Sequence, residues 1–175
     1  MESRAKILGH PIHQMLIPFP FGLLATAVIF DIIYLLTSDA ARATTMATVA
    51  YYMIAAGIVG GLVAAPFGLI DYLSIPKNTR ARAVGAWHGI GNVVVLILFA
   101  ASWLLRRNEQ PVRPDTLQLV LSFAGFALAG LTGWLGGELV DRLGIGVDDG
   151  AHLDAPNSLT GRPASERATG AGKVI

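Results

Sequence analysis

Four long apolar runs, separated by short polar breaks, set the pattern of this chain. The first covers about 20–36 and is broken only by Asp31; the turn Thr37-Ser38-Asp39 follows it. The second covers about 45–73 and contains Pro66 and Gly68, so a tilted or kinked helix is expected there. A basic linker, 74–82, leads to a third run over about 84–105 that stops at Arg106-Arg107. The fourth run covers about 117–140. A helix needs about 20 apolar residues to cross a hydrocarbon core, and each run is close to that or longer. The pattern therefore predicts an all-α integral membrane protein, an antiparallel four-helix bundle over residues 1–143. Residues 144–175 are rich in Gly, Ala, Asp, Pro, Ser and Arg and have no apolar period, which predicts a disordered, flexible polar tail.

The stretch Gly9-His10-Pro11-Ile12-His13-Gln14-Met15-Leu16-Ile17-Pro18-Phe19-Pro20 breaks the apolar pattern just before the first span. Pro11 pushes His10 out of the helical region and can open a helical turn that carries His13. Pro18 and Pro20 do not fit inside one regular helix, so a short interfacial turn feeding a second helical start is expected. Small residues recur at every fourth position in three of the runs: Gly57, Gly61 and Ala65; Gly85 and Gly89; Gly125, Ala129, Gly133 and Gly137. In lipid, such stripes let helix backbones approach closely. Tight packing is the plain reading, and room for a flat ligand is the sharper one.

Composition agrees with a membrane setting: 53% of residues are hydrophobic and 14% charged, against roughly a quarter charged in soluble domains. The absence of cysteine removes disulfides, thiolate-bound iron–sulfur clusters, thioether-linked haem and thiol nucleophiles. A net charge of +1 leaves no footprint for nucleic acid. The first residues lack a signal-peptide pattern, so the N-terminus is expected to be retained. With four spans, both termini share one side with the 74–82 linker. Arg4, Lys6, Lys77, Arg80, Arg82, Arg142, Arg162, Arg167 and Lys173 fall there, against Arg42, Arg106, Arg107 and Arg113 opposite. That excess favours both termini in the cytoplasm.

Threading the spans antiparallel sorts the expensive polar residues by depth. Asp71 ends the second span, His88 lies about one turn into the third, Asn92 follows on the same face, and Glu138 falls in the last turn of the fourth. All of them, with His10 and His13, belong to the terminus side. His10, His13 and His88 are thus candidate ligands for a haem iron or another metal. Asp71, Asn92 and Glu138 are candidates for orienting those rings, and Arg80 and Arg82 for pairing at the rim with propionates or phosphates. Plainer roles compete: His88 as an interfacial residue, Asn92 as an interhelical hydrogen bond, and Asp71 as the partner of Arg80 or Arg82. Asp31 sits apart, with Tyr34, Tyr51 or Tyr52 as expected partners. Met15, Met46 and Met53 read as packing residues. No hydrolase, zinc-protease, phosphate-loop or dinucleotide motif is present.

The opening 9–20 segment resembles the signature of a bacterial membrane family, domain of unknown function 2231, whose members begin with something close to G-H-P-I-H-P-M-L-V-P-F-P. The resemblance continues through Asp31, the 71–76 segment Asp-Tyr-Leu-Ser-Ile-Pro, His88-Gly89 with Asn92, and the 133–140 segment Gly-Trp-Leu-Gly-Gly-Glu-Leu-Val, or roughly residues 7–147 in all. It implies a four-helix membrane protein with no assigned activity. Some relatives are joined to Rieske-type redox modules, which implies electron transfer. Gln14 stands where the family often has proline, and Leu143 where relatives often have histidine.

Three functions are therefore carried forward. One is a redox module holding b-type haem or a metal through His88 and His10 or His13, exchanging electrons with a partner protein or quinone. The second is a scaffold subunit without cofactor, with homo-oligomers permitted by the small-residue stripes. The third is a small proton-coupled carrier using His88 and Asp71.

Overall fold

The computed structural model describes residues 1–107 and 112–168. Helix α1, Ile12–Leu16, runs into α2, Pro18–Leu36; α3 is Ala40–Ser74, α4 is Arg80–Arg106 and α5 is Thr116–Gly137. Four helical spans are long and apolar enough to cross a membrane: Ile12–Leu36, Ala40–Ser74, Arg80–Arg106 and Thr116–Arg142. The first begins earlier than the apolar run suggested. Ile17 keeps a right-handed helical conformation (φ −54, ψ −40), its N–H reaches the His13 carbonyl, and its own carbonyl accepts from Phe21. Pro18 and Pro20 therefore remove hydrogen bonds from the start of a span without turning the chain away.

Side-chain caps fix the other starts. Asp39, Thr79 and Asp115 accept from the backbone N–H groups of Arg42, Arg82 and Gln118, and Gln118 returns a side-chain acceptor to the Asp115 N–H. Helix α5 passes into a single π-helical turn at Glu138–Arg142. Ahead of α1, a two-residue ladder pairs Lys6–Ile7 (β1) with His10–Pro11 (β2), turning through Leu8 (φ 51) and Gly9 (φ 84). Both turn residues have positive φ, as a tight two-residue hairpin requires.

The spans go up and down in order. Neighbours α2 with α3 and α4 with α5 pack most extensively, while α3 against α4 and α2 against α5 close the ring. The core is thin: Leu24, Ala27 and Val28 of α2, Ile54 of α3, Val95 and Phe99 of α4, and Ala129 of α5. Most apolar side chains face outward, which suits a bundle solvated by lipid. Part of the glycine pattern serves close packing. A side-chain carbon at Gly57 would lie 2.6 Å from Leu24, at Gly61 2.7 Å from Leu96, and at Gly125 3.0 Å from Phe99. Gly89, Gly133 and Gly137 have nothing within 4 Å and belong to the outer surface.

Beyond the π turn, residues 144–168 form turns and one 3₁₀ turn, Ser158–Thr160; 169–175, the end of the expected disordered tail, lie outside the described residues. This polar segment is nonetheless tied to the N-terminal arm. Gly146 N–H donates to the Met1 carbonyl, Lys6 pairs with Asp148, and Ser158 Oγ donates to the Leu8 carbonyl. Hydrogen bonds to the arm, not apolar burial, hold it there.

Candidate functional site

Two polar centres lie at opposite ends of the bundle. At the terminus end, His13 of α1 and His88 of α4 face one another with ring centres 6.5 Å apart. The His13 ring lies where a side-chain carbon at Gly68 would be, 2.7 Å from that position, and its Nδ1 is 2.9 Å from the Ala64 carbonyl. A carbonyl only accepts, so Nδ1 carries a proton, and in the neutral ring Nε2 then keeps its lone pair. Nε2 of His13 has no hydrogen-bond partner among the described residues.

The same deduction holds for His88. Its Nδ1 donates to the Thr132 carbonyl at 2.8 Å, so Nε2 accepts from Asn92 Nδ2 at 3.2 Å. Asn92 also donates to the His88 carbonyl, while its Oδ1 accepts from the Thr132 hydroxyl at 3.0 Å. His88, Asn92 and Thr132 thus close a ring of hydrogen bonds between α4 and α5. Thr132 is the member that spacing alone did not reveal. Gly136 leaves the space that the His88 ring occupies, 3.1 Å from where its side-chain carbon would stand.

The other candidates divide. Asn92, one turn from His88 on the same helix, donates to Nε2 of its ring. His10 is exposed on the hairpin, where Nε2 lies 3.3 Å from Ser158 Oγ, and it forms no ligand group with the other two histidines. Asp71 does not pair with Arg80 or Arg82 and does not reach the histidines. Its carboxylate accepts from Ser3 Oγ at 2.8 Å and from the N–H groups of Arg4 and Ala5, fastening the N-terminal arm to the end of α3. Glu138 pairs with Arg80 at 2.6 Å. Arg82 donates to the Tyr72 and Ile75 carbonyls and lies 3.9 Å over the Tyr72 ring. Both arginines therefore hold the linker and helix ends together.

The second centre was not foreseen. Asp31 of α2 and Arg106 of α4 form a two-pronged ion pair, both distances 2.7 Å, with neither side chain exposed to any degree. Arg106 also donates through Nε to Ser102 and through Nη2 to Ser122. Ser102 gives its single proton to the Gln118 carbonyl, so Ser122 must donate to Ser102. Every proton in this network has one consistent direction. The tyrosine partners expected for Asp31 are otherwise engaged: Tyr34 donates to the Pro114 carbonyl, and Tyr51 contacts Tyr52 and stacks on Trp103. Arg106 is likewise not the flanking surface cation that its place beside Arg107 suggested.

The sequence matches the family described as "Predicted membrane protein (DUF2231)" over residues 9–149, most of the chain. The chain belongs to DUF2231. No curated protein and no solved structure matches it. For this DUF2231 member the matched span takes in both polar centres, the four helices and the π turn, and leaves out most of the N-terminal arm.

Proposed function

We propose that this DUF2231 chain is a cofactor-holding membrane subunit in which His13 and His88 present two imidazoles to one metal-centred group, with b-type haem the best fit. One observation carries the reading: both rings commit Nδ1–H to a helix carbonyl, the arrangement that fixes a histidine with Nε2 ready to ligate. Two imidazoles on one metal at about 2 Å each have ring centres roughly 6 Å apart, which is compatible with the 6.5 Å seen. Ligand number favours haem. A zinc site takes three or four protein ligands, and no group of three His, Cys, Asp or Glu forms a metal site among the described residues. Haem iron would need only two protein side chains. Bound haem would supply one-electron transfer with a protein or quinone partner. His13 and His88 would hold it, and Asn92 would release Nε2 of His88 for ligation.

The closed His88–Asn92–Thr132 ring favours a second reading, a scaffold in which the imidazoles serve helix packing. A proton-coupled carrier built on His88 and Asp71 has less support, because the Asp71 carboxylate is engaged by the arm. The inner-membrane placement with cytoplasmic termini belongs to the same proposal; with Arg106 neutralised by Asp31, the loop side keeps three flanking cations, Arg42, Arg107 and Arg113.

The test is an absorption spectrum and metal analysis of the protein purified from haem-replete cells. A sharp haem band, lost in both His13→Ala and His88→Ala and kept in His10→Ala, is the expected result. A colourless, metal-free parent protein would hand the site to the scaffold reading.

A further inference from the structure

A surface cavity of about 270 Å³ opens at the loop end of the bundle, between the end of α2, the start of α3 and the segment before α5. Tyr34, Thr37, Thr44 and Arg113 supply its polar lining, and Leu35 and Ala43 part of its apolar lining. Arg113 is the one charged residue in that lining, and its guanidinium makes no hydrogen bond or ion pair among the described residues. The hydroxyls are spent: Thr37 and Thr44 donate to the carbonyls of Ile33 and Ala40, and Tyr34 to that of Pro114. Among the described residues no carboxylate lines the cavity. Its recognition chemistry is therefore one unspent planar cation beside an apolar wall.

Depth identifies what such a cavity meets. The Ile12–Leu36 span has 25 residues, or about 37 Å at 1.5 Å per residue, against a hydrocarbon core of about 30 Å. Its ends, Tyr34 to Thr37 included, reach the headgroup layer, where a guanidinium pairs with phosphate oxygens through two parallel hydrogen bonds. Leu35 and Leu36 beside the cavity are 54% and 82% exposed, so the apolar wall continues onto the lipid-facing surface.

We propose that this cavity is a binding site for an anionic phospholipid, with Arg113 holding the headgroup phosphate and one acyl chain lying along Leu35. A zwitterionic lipid fits less well, because its quaternary ammonium would meet the Arg113 cation, with no carboxylate among the described lining residues to balance it.

Native mass spectrometry of the full chain in detergent, titrated with phosphatidylglycerol or phosphatidylcholine, tests this. The expected outcome is preferential retention of phosphatidylglycerol, falling at least fivefold in Arg113→Gln and largely kept in Arg113→Lys. Arg42→Gln, outside the cavity lining, should retain the lipid like the parent. Equal retention of the two lipids, or undiminished retention by Arg113→Gln, would overturn the proposal. So would displacement of the lipid by millimolar inorganic phosphate, which would mark a soluble-anion site. Arg113 is exposed, so its replacement leaves the core intact.

Discussion

The two polar centres of this bundle are built on opposite terms. At the loop end, Asp31 and Arg106 form a two-pronged, fully buried pair, and their network directs each serine proton to a partner. At the terminus end, His13 and His88 are half-buried and each commits Nδ1 to a helix carbonyl, with one Nε2 unbonded among the described residues and the other held by a single amide at 3.2 Å. They lie about 27 Å apart along α4 at 1.5 Å per residue, and Val95 and Phe99 pack as dry core between them. A closed network has nothing left to offer a ligand, and its consequence is to fix how α2, α4 and α5 are rotated against one another. An open lone pair can take a ligand, and the bundle gives up little stability by leaving it open. The first centre therefore holds the fold, and the second is where the proposed cofactor would be held.

Breaking the closed centre should have the largest effect. Removing one partner of a buried pair leaves the other charge uncompensated, at a cost of about 3–5 kcal/mol. Asp31→Asn or Arg106→Leu should lower unfolding stability in mixed micelles by that amount, read from denaturant titration of helical circular dichroism. The double variant Asp31→Leu/Arg106→Met removes both charges and should recover most of the loss, since Ser102 and Ser122 still bond to each other and to the Gln118 carbonyl. Single variants as stable as the parent would show that the network does not set the helix rotations.

At the open centre the expected effect is smaller and splits by readout. Asn92→Leu removes the donor to Nε2 of His88, while the Thr132 hydroxyl keeps the Ala129 carbonyl as acceptor. Leaving the buried acceptor unpaired costs about 1–3 kcal/mol. If the ring exists to ready His88 for a ligand, the variant loses stability when cofactor-free but keeps any haem band. If the ring is the whole purpose of His88, stability falls and no spectrum is there to follow. Asp71→Asn comes next. It weakens the carboxylate that Ser3, Arg4 and Ala5 share, so hydrogen exchange of residues 1–11 should quicken while the helices keep their protection. Equal acceleration throughout the bundle would mean that Asp71 holds more than the arm.

The four spans were legible because long apolar runs have few other solutions. Span direction alone placed His13 and His88 at one end. What could not be read was rotation. In water an amphipathic helix announces its buried face, but here the lipid-facing and core-facing sides are both apolar. Nothing in 84–105 says that Ser102 and Arg106 turn inward while Leu104 and Leu105 turn out. Arg106 beside Arg107 looks like an ordinary flanking cation, and Asp31 lies 75 residues away in sequence. The hairpin at 6–11 escaped for another reason: Leu8 stands where a tight turn more often has Asn or Asp. Gly9 was its one sign. Asp71 was expected to meet arginines, but the polar arm reaches it from the N-terminus instead.

The smallest effects belong to the exposed ion pairs. Arg80→Gln should change stability by less than about 1 kcal/mol, because Arg80 is well exposed even though Glu138 is not. The clasp between the arm and the segment after α5 should respond to pH only at the extremes. Hydrogen bonds from Lys6 to Asp148 and then Glu2 raise the Lys6 pKa above its ordinary 10.5. Its stabilising contribution is complete below that value and is lost as pH rises through the raised pKa. The Lys6 ammonium, followed by the Asp149 N–H, lowers the Glu2 pKa from 4.5. That contribution is complete above 4.5 and is lost as pH falls through the lowered pKa. Exchange at residues 1–11, corrected for its intrinsic pH dependence, should therefore show constant protection from about pH 5 to 10 and loosen outside that window. A step inside that window would instead mean that a contact other than the Lys6 and Glu2 pairs controls the clasp.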